Sequence, residues 1–283
     1  MSTDKELIRN SRIWELDFLR GICIFLMVID HTIFDIAHIF NKAWTLTGIE
    51  FIIKLTKLAE FYWKMPLRLF TQGIVIFTIF FISGISNSFS RSNLKRGLKL
   101  MFFALLITLA TVLLSENFSA LEGNEIRYGV LHMLASCILV WTIINFIFRD
   151  RYSTAAACLV VAVVAFIVNY NMTYFAGNYL PKDNLLAFLH PMLAKDPIDF
   201  SGGDYFPLLS HIGKFMLGAA IGPVIYKNRR TLLPFLDRNN WYRPVNFIGR
   251  HTLEIVVLHQ PVINLLLALI SALFITKGDF VLW

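Results

Sequence analysis

The sequence predicts an all-α, polytopic integral membrane protein: a bundle of about seven to nine transmembrane helices with a cytoplasmic N-terminus. Three observations carry that expectation. The chain is 57% hydrophobic, 14% aromatic and only 16% charged, with a mean hydropathy of +0.62, outside the range of soluble domains. Apolar segments recur at the length a bilayer requires, about 20 residues for a helix. The loops between them alternate between basic and acidic.

Segments near 17–40, 69–90, 98–115, 128–148, 152–175, 206–226 and 250–275 form seven spans. An amphipathic stretch at 49–65 and the apolar NLLAFLHPML at 184–193 are expected as surface helices, re-entrant pieces or additional short spans. The first apolar run is interrupted by acidic residues and lacks a small-residue cleavage site, so it is expected to be retained as a span. Lys and Arg gather on the cytoplasmic side of membrane proteins. Here Lys5, Arg9 and Arg12 precede span one, Arg91, Lys95, Arg96 and Lys99 lie between spans two and three, and Arg149 and Arg151 between four and five. Lys227, Arg229, Arg230, Arg238, Arg243 and Arg250 fill the stretch between six and seven. The alternate loops hold Glu116, Glu122 and Glu125, then Asp183, Asp196, Asp199 and Asp204. One loop departs from the pattern: 41–68, expected outside, carries Lys42, Lys54, Lys57, Lys64 and Arg68.

The net charge of +7 is accounted for by a basic cytoplasmic face beside anionic lipid, so the bilayer is the expected partner and nucleic acid is not. No low-complexity tract, clear repeat or large soluble insertion appears, and 1–283 reads as a single transmembrane domain. Cys23, Cys137 and Cys158 fall inside spans without metal or disulfide spacing; no metal is expected. In GKFMLGAAIG, Gly218 and Gly222 stand four apart, a small-residue face for helix packing.

Ionisable groups in the membrane are costly and mark function. LRGICIFLMVIDHTIFD, Leu19 to Asp35, carries Arg20, Asp30, His31 and Asp35. Arg20, Ile24, Met27, His31, Asp35 and His38 follow steps of three and four along one helix face, and Asp30 lies about 100° from His31. His31 sits about 16 Å beyond Arg20 along the axis. Asp35, one turn further, is positioned to hydrogen-bond the His31 ring and make it an effective base. His132, His211 and His259 come from three other spans at middle to outer depth, while Arg20 and Arg250 lie near the inner face. The competing account of each histidine is a hydrogen bond to nearby backbone that ties helices together; Arg96, Lys99, Arg229 and Arg230 also serve as plain cytoplasmic anchors.

An inner anion site below a buried histidine suits an acyl-CoA donor entering from the cytosol, its phosphates held by Arg and Lys and its thioester attacked by an amine or hydroxyl. Its rival is a proton-coupled small-molecule transporter with Asp30, His31 and Asp35 as the relay, although the paired broken helices and two-half symmetry of many transporters are missing. A receptor or structural protein leaves four intramembrane histidines without a use.

ELDFLRGICIFLMVIDH, Glu15 to His31, resembles the D-x-x-R-G…M…H opening of the membrane acyltransferases related to heparan-alpha-glucosaminide N-acetyltransferase, and more distantly the membrane O-acyltransferases of polysaccharides. FTQGIVIFTIFFISGISNSFS, KRGLKLMFFALLITLATVL, IRYGVLHMLASCILV, DYFPLLSHIGKFMLGAAIG and IGRHTLEIVVLHQPVI are similar, in order, to the blocks of prokaryotic members, so the likeness runs from about Arg12 to Leu267. It implies transfer of an acetyl or other acyl group from cytosolic acetyl-CoA to an extracytoplasmic amino-sugar or glycan acceptor, by a multi-pass protein of a prokaryotic cell membrane. His31 matches the histidine of the prokaryotic and O-acyltransferase patterns, where the lysosomal enzyme carries asparagine, and is the expected general base or proton shuttle, with Asp30, Asp35 and Arg20 as catalytic candidates. His132, Asp204, His259 and Gln260 match blocks expected to line the chamber or face the acceptor. His211 joins them, although it and Ser210 stand where the family often has Pro-Trp. Arg20, Arg96, Lys99, Arg229, Arg230 and Arg250 are candidates for the CoA phosphates. Acyl chain length, N- against O-transfer, a covalent acyl-histidine against direct transfer, and a monomer against a homodimer stay open.

Overall fold

The computed structural model describes residues 13–90, 92–117, 123, 125–176, 186–193, 204–226 and 230–274. Among these every regular element is helical. In chain order the α-helices are α1 (Trp14–Phe34), continued by a π-helical turn at Asp35–Ile39, α2 (Asn41–Thr45), α3 (Glu50–Lys64), α4 (Pro66–Asn87) and α5 (Asn93–Asn117). There follow α6 (Val130–Phe148), α7 (Arg151–Asn171), α8 (Leu208–Ile225), α9 (Arg243–Arg250) and α10 (Thr252–Phe274). Among the described residues seven helices are long and apolar enough to span a membrane: Trp14–Ile39, Pro66–Asn87, Asn93–Asn117, Val130–Phe148, Arg151–Tyr174, Leu208–Ile225 and Thr252–Leu273. The amphipathic stretch is α3, whose 15 residues extend only about 22 Å and fall short of a bilayer core. Of 184–193, the described residues form turns and a short 3₁₀ helix, Pro191–Leu193.

Polar side chains within these helices bond their own backbone, as a medium without water demands. Thr32 donates to the Val28 carbonyl at 2.8 Å, Thr142 to Ile138 at 2.7 Å and Ser271 to Leu267 at 2.7 Å. Along α5 the exposed side chains Leu94, Leu98, Phe102, Leu105, Leu109 and Leu113 form a stripe at helical spacing, suited to lipid. Asp150 starts α7 by accepting from the amides of Tyr152 at 3.0 Å and Ser153 at 2.9 Å, which holds its carboxyl below the usual range.

The described chain divides into two compact units: Phe80–Leu232, the central unit, and Ile13–Ile79 with Leu233–Trp283, the terminal unit. In the central unit α8 packs along α7 and α5 along α6. Close approach is bought by glycine: a Cβ on Gly84 would overlap the Phe215 carbonyl, and one on Gly218 the Phe81 carbonyl. The GKFMLGAAIG stretch is thus a packing surface.

In the terminal unit α9 lies against α1, where a Cβ on Gly21 or Gly249 would strike the backbone carbonyl of Val245 or Asp17. The π turn, closed by the Phe40 amide on the Asp35 carbonyl at 2.8 Å, inserts an extra residue into one helical turn. It directs Ile36, Ala37 and Phe40 into a core with Trp44, Ile52, Ala59, Ile263 and Leu267. His38 is left exposed. The single stripe expected from Arg20 to His38 is therefore interrupted after Phe34, because the α-helical period does not survive the π turn.

Candidate functional site

The terminal unit brings together residues from α1 and α10. The rings of His31 and His259 meet edge to face, with centroids 5.0 Å apart and planes at 88°. Each histidine uses Nδ1 on its own helix: His31 with the Met27 carbonyl at 2.9 Å, His259 with the Val256 carbonyl at 2.8 Å. A carbonyl only accepts, so Nδ1 carries the proton and the neutral ring keeps its lone pair on Nε2. The backbone, rather than Asp35, thus sets the His31 tautomer.

Asp35, fully buried at the start of the π turn, instead accepts from the Gln260 side-chain amide at 2.8 and 3.0 Å on its two oxygens. Beside this clamp, His259 Nε2 and Gln260 Oε1 are buried without a hydrogen-bond partner. Each is an acceptor suited to a donor.

Asp30 faces a different set of groups. Arg68 Nε and its terminal nitrogen grip the two carboxylate oxygens at 2.9 and 2.7 Å, and the Tyr62 hydroxyl donates at 3.1 Å. The Arg68 guanidinium also lies 3.4 Å from the centroid of the Trp63 ring, a cation–π contact. Burial, then the Asp30 carboxylate, hold the Tyr62 phenol above its ordinary range. Part of the unexpected charge in 41–68 is thereby explained: Arg68 neutralises an acid in the first span. Sequence reasoning missed this pair, and the excess of basic residues in that loop was the available signal.

Nearer the start of α1, Arg20 donates to Asp17 at 2.9 Å, and Arg250 Nε lies 3.5 Å from the other Asp17 oxygen. Beside them a cavity of about 400 Å³ is lined by Asn240, Tyr242, Arg243, Asn246, Phe247 and Arg250.

The central unit holds the remaining candidates. His132, 4% exposed, is saturated: Gly129 N–H donates to Nδ1 at 3.3 Å, and Nε2 lies 3.2 Å from Thr108 Oγ1. Since Thr108 sends its own proton to the Ile126 carbonyl at 2.6 Å, His132 Nε2–H is the donor and no ring lone pair is left over. The competing account of this histidine, a tie between neighbouring segments, fits its geometry. Asp204 accepts from the Val130 amide at 2.9 Å, where it meets the positive end of α6. His211 packs between Phe80 and Phe206, with ring centroids at 5.2 and 5.1 Å, and its Nδ1 accepts a hydrogen bond from Lys214 Nζ at 2.8 Å. Arg96 donates to Asn87 Oδ1 at 2.5 Å, while Lys99 and Arg230 are exposed. Arg229 lies outside the described residues.

A family model described as heparan-alpha-glucosaminide N-acetyltransferase, catalytic, matches residues 12–261. No curated protein and no solved structure matches the chain.

Proposed function

Because the chain belongs to the heparan-alpha-glucosaminide N-acetyltransferase catalytic family, we propose that it carries an acetyl group from cytosolic acetyl-CoA to an amino-sugar or glycan acceptor beyond the cell membrane. Acyl transfer is the reaction class that membership brings, in a multi-pass membrane protein. The observation that carries the finer reading is the His31 and His259 pair: both Nδ1 protons are spent on backbone carbonyls, so both Nε2 atoms keep a lone pair.

His31 Nε2 acts as general base. It takes the proton from the acceptor N–H or O–H as that atom bonds to the thioester carbonyl carbon. The C–S bond then breaks, and the proton passes to the leaving thiolate, giving free CoA and the acetylated acceptor. His259 Nε2 and Gln260 Oε1 receive the acceptor's remaining N–H or O–H groups, which meets the hydrogen-bonding need of two buried acceptors. Asp35 is a positioning residue, holding the Gln260 amide so that its oxygen stays available. Arg20, fixed on Asp17, organises the inner end of α1. His132 and Asp204 support their own unit through the bonds described above.

A transporter relay through Asp30, His31 and Asp35 is less well supported. Asp30 bonds to Arg68 and Tyr62, His31 to Met27 and Asp35 to Gln260, so no hydrogen-bonded chain links the three. The test is turnover of acetyl-CoA with glucosamine by the detergent-purified protein. His31→Gln should lower turnover by at least about a hundredfold while leaving the melting temperature unchanged; turnover close to wild type would remove His31 from the chemistry.

A further inference from the structure

The cavity beside α9 carries a second, separable assignment. Asn246 lines it and is 1% exposed, yet neither its side-chain nitrogen nor its oxygen has a hydrogen-bond partner. A buried amide unsatisfied at both ends is rare, and it offers one donor and one acceptor side by side. That pair complements the N6 amino group and N7 of adenine, the pattern by which Asn reads this base. Around it stand the exposed ring of Phe247 and the guanidinium groups of Arg243 and Arg250. Arg250 turns Nε towards Asp17, an orientation that allows its terminal nitrogens to serve phosphate. The volume, about 400 Å³, lies at the small end of ligand sites.

We propose that this cavity binds the adenine nucleotide end of the acyl donor, with Asn246 reading the base edge, Phe247 packing on the base, and Arg243 and Arg250 holding its phosphates. The assignment rests on the acyl-CoA reading above. It adds the residues that recognise a nucleotide, of which Asn246, Arg243 and Phe247 carry no signal in the sequence beyond the positive charge of one of them. A phosphate-bearing lipid headgroup would satisfy the arginines equally but would leave the Asn246 amide unused, so the base separates the two sources.

The experiment is calorimetric titration of the full-length, detergent-purified protein with acetyl-CoA, adenosine 3′,5′-bisphosphate and guanosine 5′-diphosphate. The adenosine bisphosphate should bind and compete with acetyl-CoA, whereas the guanine nucleotide should bind at least tenfold more weakly. Asn246→Asp, which keeps the volume but replaces the amide donor with a carboxylate, should weaken the adenosine compound at least tenfold. Arg243→Gln should weaken it roughly threefold to tenfold and reduce its salt dependence. Because Arg243 is exposed, this variant keeps the test open if Asn246→Asp does not fold. Acetyl-CoA binding that ignores the bisphosphate, equal affinity for the guanine nucleotide, or unchanged affinity in folded variants would overturn the nucleotide site while leaving the donor reading intact. If acetyl-CoA itself does not bind the wild-type protein, the donor reading falls and this site falls with it.

Discussion

His31 and Asp30 are sequence neighbours with opposite uses, and the difference lies in what each side chain meets. His31 keeps a lone pair on Nε2 because Met27 occupies Nδ1; with that nitrogen as the proposed base, replacing His31 with Gln should lower the acetyl-transfer rate by about 10²- to 10⁴-fold. Asp30 is one half of an ion pair whose side chains are 19% and 7% exposed on the acid and arginine sides. Removing one partner leaves the other charge poorly solvated, so Arg68→Ala should cost about 3–5 kcal/mol. The double variant Arg68→Gln with Asp30→Asn should recover part of that loss, as read by denaturation in detergent. His190, outside the spans and 1% exposed, accepts the Met192 amide on Nδ1 at 3.2 Å, and burial lowers its pKa from 6.5. The unfolded chain therefore binds a proton below pH 6.5 that the folded state resists. Stability contributed by this group is undiminished above that pH and falls as the pH drops towards the lowered folded value. His190→Asn, which retains an acceptor, should flatten that acid-side loss in melting curves recorded against pH.

Helices in this protein are positioned by where backbone can touch backbone. Two glycines of α4 make the point in opposite directions. Gly73 has open space around an added Cβ, whereas at Gly84 the same atom would overlap the Phe215 carbonyl. Gly73→Ala should stabilise by up to about 1 kcal/mol through helix propensity. Gly84→Ala should destabilise by about 1–3 kcal/mol, because rigid backbone must move. Thermal melts of the two variants test the contrast directly, and equal shifts would refute it. The π turn at Asp35–Ile39 acts at this same scale: one added residue sends Phe40 to the core and Asp35 to Gln260. Its register cannot be read from periodicity, since the sequence around it fits an uninterrupted α-helix equally well.

For the whole chain, the alternation of charge predicts which loops face which side. Glu125→Cys should react with a membrane-impermeant maleimide from outside intact cells, and Asp150→Cys only after the membrane is opened. Native Cys23, Cys137 and Cys158 are buried and should give little background. Labelling on the reverse sides would invert the proposed direction of transfer. Donor binding should also raise the thermal stability of the protein as a whole, by about 2.7 kcal/mol at a hundredfold excess over Kd; an unchanged melt with saturating acetyl-CoA would contradict the donor assignment.

Composition and apolar run length were enough to determine the helical membrane class and about seven to nine spans, because bilayer thickness imposes a length that hydropathy records directly. That 49–65 folds as a helix too short to span was decided by the structure. The family was legible as well, through the order of blocks from D-x-x-R-G to H-Q-P. His31 stood out from the sequence because an ionisable residue in an apolar run is conspicuous. Its meeting with His259, the Asp35–Gln260 clamp, the Asp30–Arg68 pair and the unsatisfied amide of Asn246 were decided only by tertiary structure. Each depends on groups far apart in the chain or on a proton's choice of partner, and local periodicity encodes neither.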